Sequence, residues 1–338
     1  MKASILLLAA TTAAAASLPA RHTSEQHFAH VPFEEAVEKY SKLFSFDTPA
    51  ENATTLAAAA TCSRPLDVRV EWQKMTTTDQ QDWLAAVNCL MDAPSRTTPG
   101  QSLWEDLNNI HRSRVTNIHG RDRFFPWHRE FVKVYENLLR GDCGYQGPLP
   151  WWDETLDAGS FSQSSIFSPD TFGSLPLGPD STCVTDGAFA GRTFGEVGCL
   201  ARAGDNEISA EITEDYINLC NTASDFHGFA ECNERGVHDS GHEAVGATLR
   251  VSETAPLEPL FFLHHTFVDR VWWLWQNQDP SRFTDILGCT IPVFPCPSEF
   301  YIMTPESFMG DWDGFSEAEV IGDALDTRSE RLCYTYDR

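Results

Sequence analysis

The stretch His111-Arg-Ser-Arg-Val-Thr-Asn-Ile-His119-Gly-Arg-Asp-Arg-Phe-Phe-Pro-Trp-His128 holds three histidines. A second cluster follows as His238-Asp-Ser-Gly-His242 and Pro259-Leu-Phe-Phe-Leu-His-His265. Eight histidines in all fall between positions 111 and 265. With His227 and His264 set aside, each cluster has three imidazoles and no carboxylate or thiolate at ligand spacing. Two nitrogen-only triads indicate a pair of soft-to-borderline metals.

The periodicity around these histidines is helical. Leu103, Leu107, Ile110 and His111 fall at i, i+4, i+7 and i+8, so His111 points the way the core points. Asn117 to Phe125 is polar and reads as a loop carrying His119. Pro126 suits the first turn of a helix in which His128, Phe131, Val132, Tyr135 and Leu139 share a face, ending near Gly141. His238 and His242 are four apart, hence neighbours on one helical face. Residues 247 to 257 read as a loop. Pro259 then opens a helix, apolar nearly all round, that runs to about Gln276.

Upstream, Val68, Trp72 and Met75, then Trp83, Val87 and Leu90, suggest further helices with caps at Thr76-Thr-Thr-Asp79. Residues 155 to 231 lack strong periodicity and read as a long, disulfide-held loop region. The expected fold is mainly α: a four-helix bundle around a dinuclear metal site, with long stapled loops and little β structure.

Residues 1 to 20 have a charged start, a short apolar core and a small-residue end, as a signal peptide does. Residues 21 to 61 read as a propeptide or N-terminal arm whose His22, His27 and His30 are solvated, and 62 to 338 as the catalytic domain. Asn52-Ala-Thr54 is a glycosylation sequon. The ten cysteines include no Cys-x-x-Cys pair and allow five bridges, in keeping with a secreted, extracellular protein. A net charge of −25 speaks against nucleic acid or an anionic membrane as partner.

Six imidazoles on inward faces are hard to explain structurally. Paired di-iron sites would show Glu-x-x-His, which does not occur, and copper suits pure nitrogen donors best. Three motifs carry a resemblance: His119-x8-His128 ending in Phe125-Pro-Trp-His128; Leu149-Pro-Trp-Trp-Asp153; and Glu258-Pro-Leu-Phe-Phe-Leu-His-His265-Thr-Phe-Val-Asp269-Arg270. With them the chain resembles the type 3 copper proteins of the tyrosinase and polyphenol oxidase family, in particular the short fungal, catechol oxidase-like members. Arg69-Val-Glu-Trp72 and Tyr334-Thr-Tyr336 resemble the family's opening and closing segments.

The resemblance implies His111, His119 and His128 on one copper and His238, His242 and His265 on the other. His264 would be structural or at the pocket rim, and His227 a loop residue. Asp269 would orient an imidazole or an arginine. The implied reaction is O2-dependent oxidation of ortho-diphenols to ortho-quinones, with small phenols and O2 as partners and a monomer or weak dimer as the working form. A haemocyanin-like O2-binding protein and a hydrolytic dinuclear zinc enzyme are the alternatives.

The departures are specific. Asn117 stands where many fungal members have a cysteine thioether-linked to the second histidine, and Glu258-Pro259 replaces Asp-Pro. Asp239 follows His238 where tyrosinases proper often have asparagine. With Glu234 it forms a carboxylate pair that either accepts a monophenol's proton or, for Asp239, merely caps the helix or faces solvent. No C-terminal shielding domain is recognisable. A plug over the site is therefore expected from the loop around Val251 or from the N-terminal arm.

Overall fold

The structure, a computed structural model, describes residues 28–44, 62–195 and 197–338. The signal-peptide stretch, His22, His27, the Asn52 sequon and the run Leu56 to Ala60 lie outside the described residues. No described helix is long and apolar enough to cross a membrane.

In chain order the helices are α1 (Phe33–Leu43), α2 (Thr77–Asp92), α3 (Leu103–Arg112), α4 (Val115–Ile118) and α5 (Phe124–Gly141). They continue as α6 (Asn206–Ser209), α7 (Glu214–Asn221), α8 (Phe226–Asn233), α9 (Asp239–Val245), α10 (Ala247–Arg250) and α11 (Leu260–Gln278). The bundle around the histidines consists of α3, α5, α9 and α11. Local sequence explains much of it. Ser102 and Glu105 form a reciprocal capping box at α3, and the Thr76 hydroxyl accepts from Asp79 N–H at α2. At α11, Glu258 accepts from Leu260 N–H and forms a fully buried bidentate pair with Arg202.

The strands are few: β1 (Asp67–Glu71), β2 (Pro150–Trp151), β3 (Thr182–Cys183), β4 (Thr193–Phe194), β5 (Gly198–Cys199), β6 (Ala201–Arg202) and β7 (Tyr334–Tyr336). The helix expected from Val68 is instead β1, paired in parallel with β2 and β7. Its alternation is inverted. Val68 is 44% exposed, while Arg69 and Glu71 are buried. The reason lies far along the chain, where Arg69 Nη1 donates to Asp269 on α11 (2.9 Å) and the guanidinium lies 3.4 Å over the Tyr334 ring.

The region 155 to 231 is also more ordered than its composition suggests. It holds 3-10 turns, two short antiparallel strand pairs (β3 with β6, β4 with β5) and helices α6 to α8. Side chains of Asp205, Thr213 and Asp225 cap the three helices, and Cys220–Cys232 staples α7 to α8. In the 247 to 257 segment, α10 and a 3-10 turn replace a plain loop. All ten cysteines are paired: 62–333, 89–143, 183–199, 220–232 and 289–296.

Asp269 joins the chain's ends to the bundle. Arg129 and Arg69 donate to its carboxylate, as do the hydroxyls of Tyr334 and Tyr336. Burial alone would raise this carboxyl's pKa, but the two guanidiniums overcome that and hold it below the usual range. Asp269→Asn leaves buried guanidiniums without their counter-charge and is expected to cost about 3–5 kcal/mol, roughly 6 °C or more in Tm. Asp67→Asn, at the exposed Arg64 pair of the same sheet, is expected to change stability by no more than about 1 kcal/mol. Thermal melts of the two variants check this, and equal small shifts would refute the hub.

Candidate metal centre

Each bundle helix delivers a histidine to one interior space. α3 carries His111 in its last turn, α4 ends at His119, and α5 carries His128 one turn from its start. Their ring centroids lie 5.1 to 5.6 Å apart. A π turn at Glu234–His238 breaks α8 from α9, with Gly236 at non-helical φ −91° and ψ −110°. It presents His238 within 4.5 Å of His242 on α9 and 5.1 Å of His265 on α11. The triads abut, the His128 and His265 rings stacking at 4.4 Å and 9°.

The nitrogen atoms are arranged for ligation. Nδ1 of His119, His128 and His242 lies 2.7 to 3.1 Å from the carbonyls of Val115, Phe124 and Leu249, and Nδ1 of His238 lies 2.9 Å from Asp239 Oδ1. These acceptors put the proton on Nδ1. Nε2 of His119, His128 and His238 is buried without a protein partner, and the Nε2 atoms of His242 and His265 face each other at 3.3 Å. Burial, with neighbouring imidazoles adding to it at most positions, lowers the pKa of His111, His128, His238, His242 and His265 well below the ordinary value, and that of His119 to about 4. Neutral imidazoles with aligned, unsatisfied lone pairs are what a borderline metal ion requires.

The sequence-selected carboxylates lie beside this space. Asp239 is buried and neither caps the helix nor faces solvent, since Oδ1 takes His238 Nδ1 and Oδ2 faces Arg235 at 3.3 Å. Burial pushes its carboxyl up to about 6. Glu234 accepts the Gly120 N–H at 2.6 Å, which fixes the loop after His119, and burial followed by Asp239 raises its pKa well above the ordinary value. Both line a cavity of about 480 Å3 with His119, Ser252 and Phe28. Val251 is buried and does not line it.

Of the two readings of His264 the structural one holds: it is deeply buried, not at a rim, and its Nδ1 is held by Glu154 at 2.7 Å. It joins the second histidine group. A Cβ at Gly241 would collide with both partners of that pair. His227 lies in α8, not a loop, and is paired with Asp122 at 2.7 Å. His30 is not simply solvated, because its N–H and ring both approach Glu243. Phe28, unremarked in the sequence, is 7% exposed and stacks on His242. Only Glu154 had a nearby signal, its place directly after the Leu149–Asp153 motif. Asn117 is exposed, and with every cysteine in a disulfide no thioether to His119 forms.

Residues 101–278 match the family described as the common central domain of tyrosinase. The chain is 32% identical over 325 residues to the tyrosinase-like protein phomQ1 of Diaporthe leptostromiformis, covering 85% of this chain and 82% of that one. It is 31% identical over 299 residues to tyrosinase ustQ of Aspergillus flavus, covering 81% and 80%. Its fold is similar to that of a polyphenol oxidase variant from Thermothelomyces thermophila (TM-score 0.71, 24% identity, 81% and 89% covered). An octopus hemocyanin functional unit shares it more distantly (TM-score 0.60, 19% identity, 80% and 68% covered). The chain belongs to the tyrosinase family, as a fungal-type oxidoreductase whose cofactor is a dinuclear type 3 copper centre.

Proposed function

We propose that the chain oxidises ortho-diphenols to ortho-quinones with O2, and that it acts outside the cell as a secreted catalytic domain spanning residues 62 to 338. The observation that carries this reading is the pair of abutting, neutral imidazole triads, buried except for the partly exposed His119, beside a cavity of about 480 Å3. His111, His119 and His128 hold one copper, and His238, His242 and His265 the other. Such a pair of ions supplies the redox chemistry, in which two ortho-diphenols give up four electrons to reduce one O2 to two waters.

The chain's own residues orient and exclude. Backbone carbonyls and Asp239 fix the tilt of the imidazoles, which must not drift between turnovers. Phe124 and Phe261 pack against the rings from α5 and α11 and keep water from their edges. Burial raises both carboxyls that line the cavity, Asp239 to about 6 and Glu234 well above its ordinary value. Asp239, whose Oδ1 also holds His238 Nδ1, is the residue placed to take a proton from an incoming monophenol, with Glu234 beside it. Hydroxylation of monophenols is the secondary activity this supports.

The test is oxygen uptake by the copper-loaded protein with catechol, a monophenol and a methoxyphenol. Catechol turnover is expected, and its absence across pH 5 to 8, with reversible O2 binding instead, would favour a carrier. In Asp239→Asn, monophenol turnover is expected to fall about tenfold or more beyond any loss with catechol. Equal losses would refute the proton-accepting role. Copper analysis separates the adjacent histidines: His265→Asn is expected to retain about one copper per chain, and His264→Gln about two.

The depressed imidazole pKa values also set a pH dependence for the copper-free protein. Between about 6.5 and about 4 the unfolded chain binds protons that the folded chain refuses, so stability is full above 6.5 and is lost as pH falls. Each such histidine contributes up to about 1.4 kcal/mol per pH unit across this window. The Tm of the copper-free protein is therefore expected to drop steeply from pH 7 to pH 5, and a flat profile would contradict the neutral triads.

A further inference from the structure

Two cavities meet beside His119. The inner one, of about 480 Å3, has that histidine and Asp239 in its wall, and an outer one of about 360 Å3 is walled by the segment from Ile291 to Phe294. Gly120, Arg121, Glu234, Arg235 and Pro292 border both and form a waist between them. Local structure builds this waist. Gly120 stands at φ +62° with its N–H held by Glu234 at 2.6 Å, and a Cβ there would come within 3.3 Å of the Arg235 guanidinium. The outer rim is carried by the loop that Cys289–Cys296 closes, where Phe294 stacks on His227 (3.7 Å between centroids, 18°).

The acids around the waist are already engaged. Asp239 is held by His238 and Arg235, Asp122 by His227 (2.7 Å) and the Cys289 N–H (2.6 Å), Glu231 by Lys39 (2.8 Å) and Glu234 by the Gly120 N–H. Arg121 differs, for among the described residues it has no carboxylate partner. Its Nε donates to the Thr116 carbonyl (2.8 Å) and its Nη1 approaches that of Thr290 (3.5 Å), which leaves Nη2 without a hydrogen bond. Burial lowers its pKa with no carboxylate opposing the shift, and Arg123 is lowered first by burial and then by Arg121. In a chain of net charge −25, this one spot beside the centre thus holds two guanidiniums that no described acid neutralises. A partly exposed guanidinium with a free edge is suited to a carboxylate. Arg121 follows His119 by two residues, so their Cα atoms lie no more than ~7 Å apart, a separation that a phenol ring with a short acid side chain can bridge.

We propose that the waist is a carboxylate subsite: a phenol bearing an acid on a short side chain places its ring in the inner cavity toward His119 and its carboxylate on Arg121. This names a substrate class for the site and rests on the phenol-oxidase reading above. Asp239 and Glu234 in the inner wall disfavour a second carboxylate there, which orients the substrate with its hydroxyl end inward. The outer cavity accommodates a longer side chain.

The experiment uses the copper-loaded full chain with 3-(3,4-dihydroxyphenyl)propanoate and its methyl ester, and with 3-phenylpropanoate and its methyl ester as rings that are not turned over. Oxygen uptake gives kcat/KM for the first pair, and calorimetry gives Kd for the second. At low ionic strength each acid is expected to exceed its ester about tenfold or more, the difference in turnover lying in KM. Arg121→Gln is expected to reduce both acid-to-ester ratios about tenfold, and Arg121→Lys to keep most of them. Each ratio is internal to one variant, so a general loss of folding or copper cancels. Ratios near one in the unaltered chain, or ratios that Arg121→Gln leaves in place, overturn the proposal. An acid preference in Kd that Arg121→Gln abolishes, without turnover of either catechol, supports the subsite and sinks the phenol-oxidase reading. Turnover of both catechols with no acid preference does the reverse, so the two fail separately.

Discussion

The constraint on which this molecule turns is that six imidazoles must be kept dry, uncharged and partly unbonded at once. A buried nitrogen without a partner is costly, and here the cost is concentrated in one interior space where a metal ion can offset it. The surrounding features serve that condition. Carbonyls from the turns of α4, α5 and α10 take the Nδ1 protons, aromatic rings seal the edges, and the π turn before α9 re-aims His238.

That arrangement was unevenly legible in the chain. His111 and His128 could be placed because their helices are amphipathic, so local periodicity and tertiary burial agree, and α3 also carries its own capping box. Three motifs then sufficed for the family and the bundle. β1 was misread because its inward residues are charged, and the partner that makes this tolerable, Asp269, lies 200 residues away. The helices of the 206–233 region were missed for a related reason. They are four to eight residues long, too short for a periodic pattern to stand out, and caps and the Cys220–Cys232 staple supplement the few apolar residues they bury.

Phe28 and the His264–Glu154 pair were beyond the reach of periodicity altogether. An isolated phenylalanine in an acidic, alanine-rich arm has no local reason to be buried, and its stacking partner His242 lies far downstream. His264 and His265 are neighbours whose different fates depend on what lies opposite, a glutamate for one and the second triad for the other. The donors of a metal site are legible because they need fixed spacing, whereas the residues packed around them can come from anywhere in the chain.

The Asp269 cluster has a mechanical meaning as well as an energetic one. Its carboxylate receives Arg129, the residue after His128, while it stands on α11 four residues beyond His265. The two helices that bear the stacked His128 and His265 rings are thus pinned to one charge. A shift of either helix is therefore felt by the other, which keeps the two histidine-bearing faces in one register.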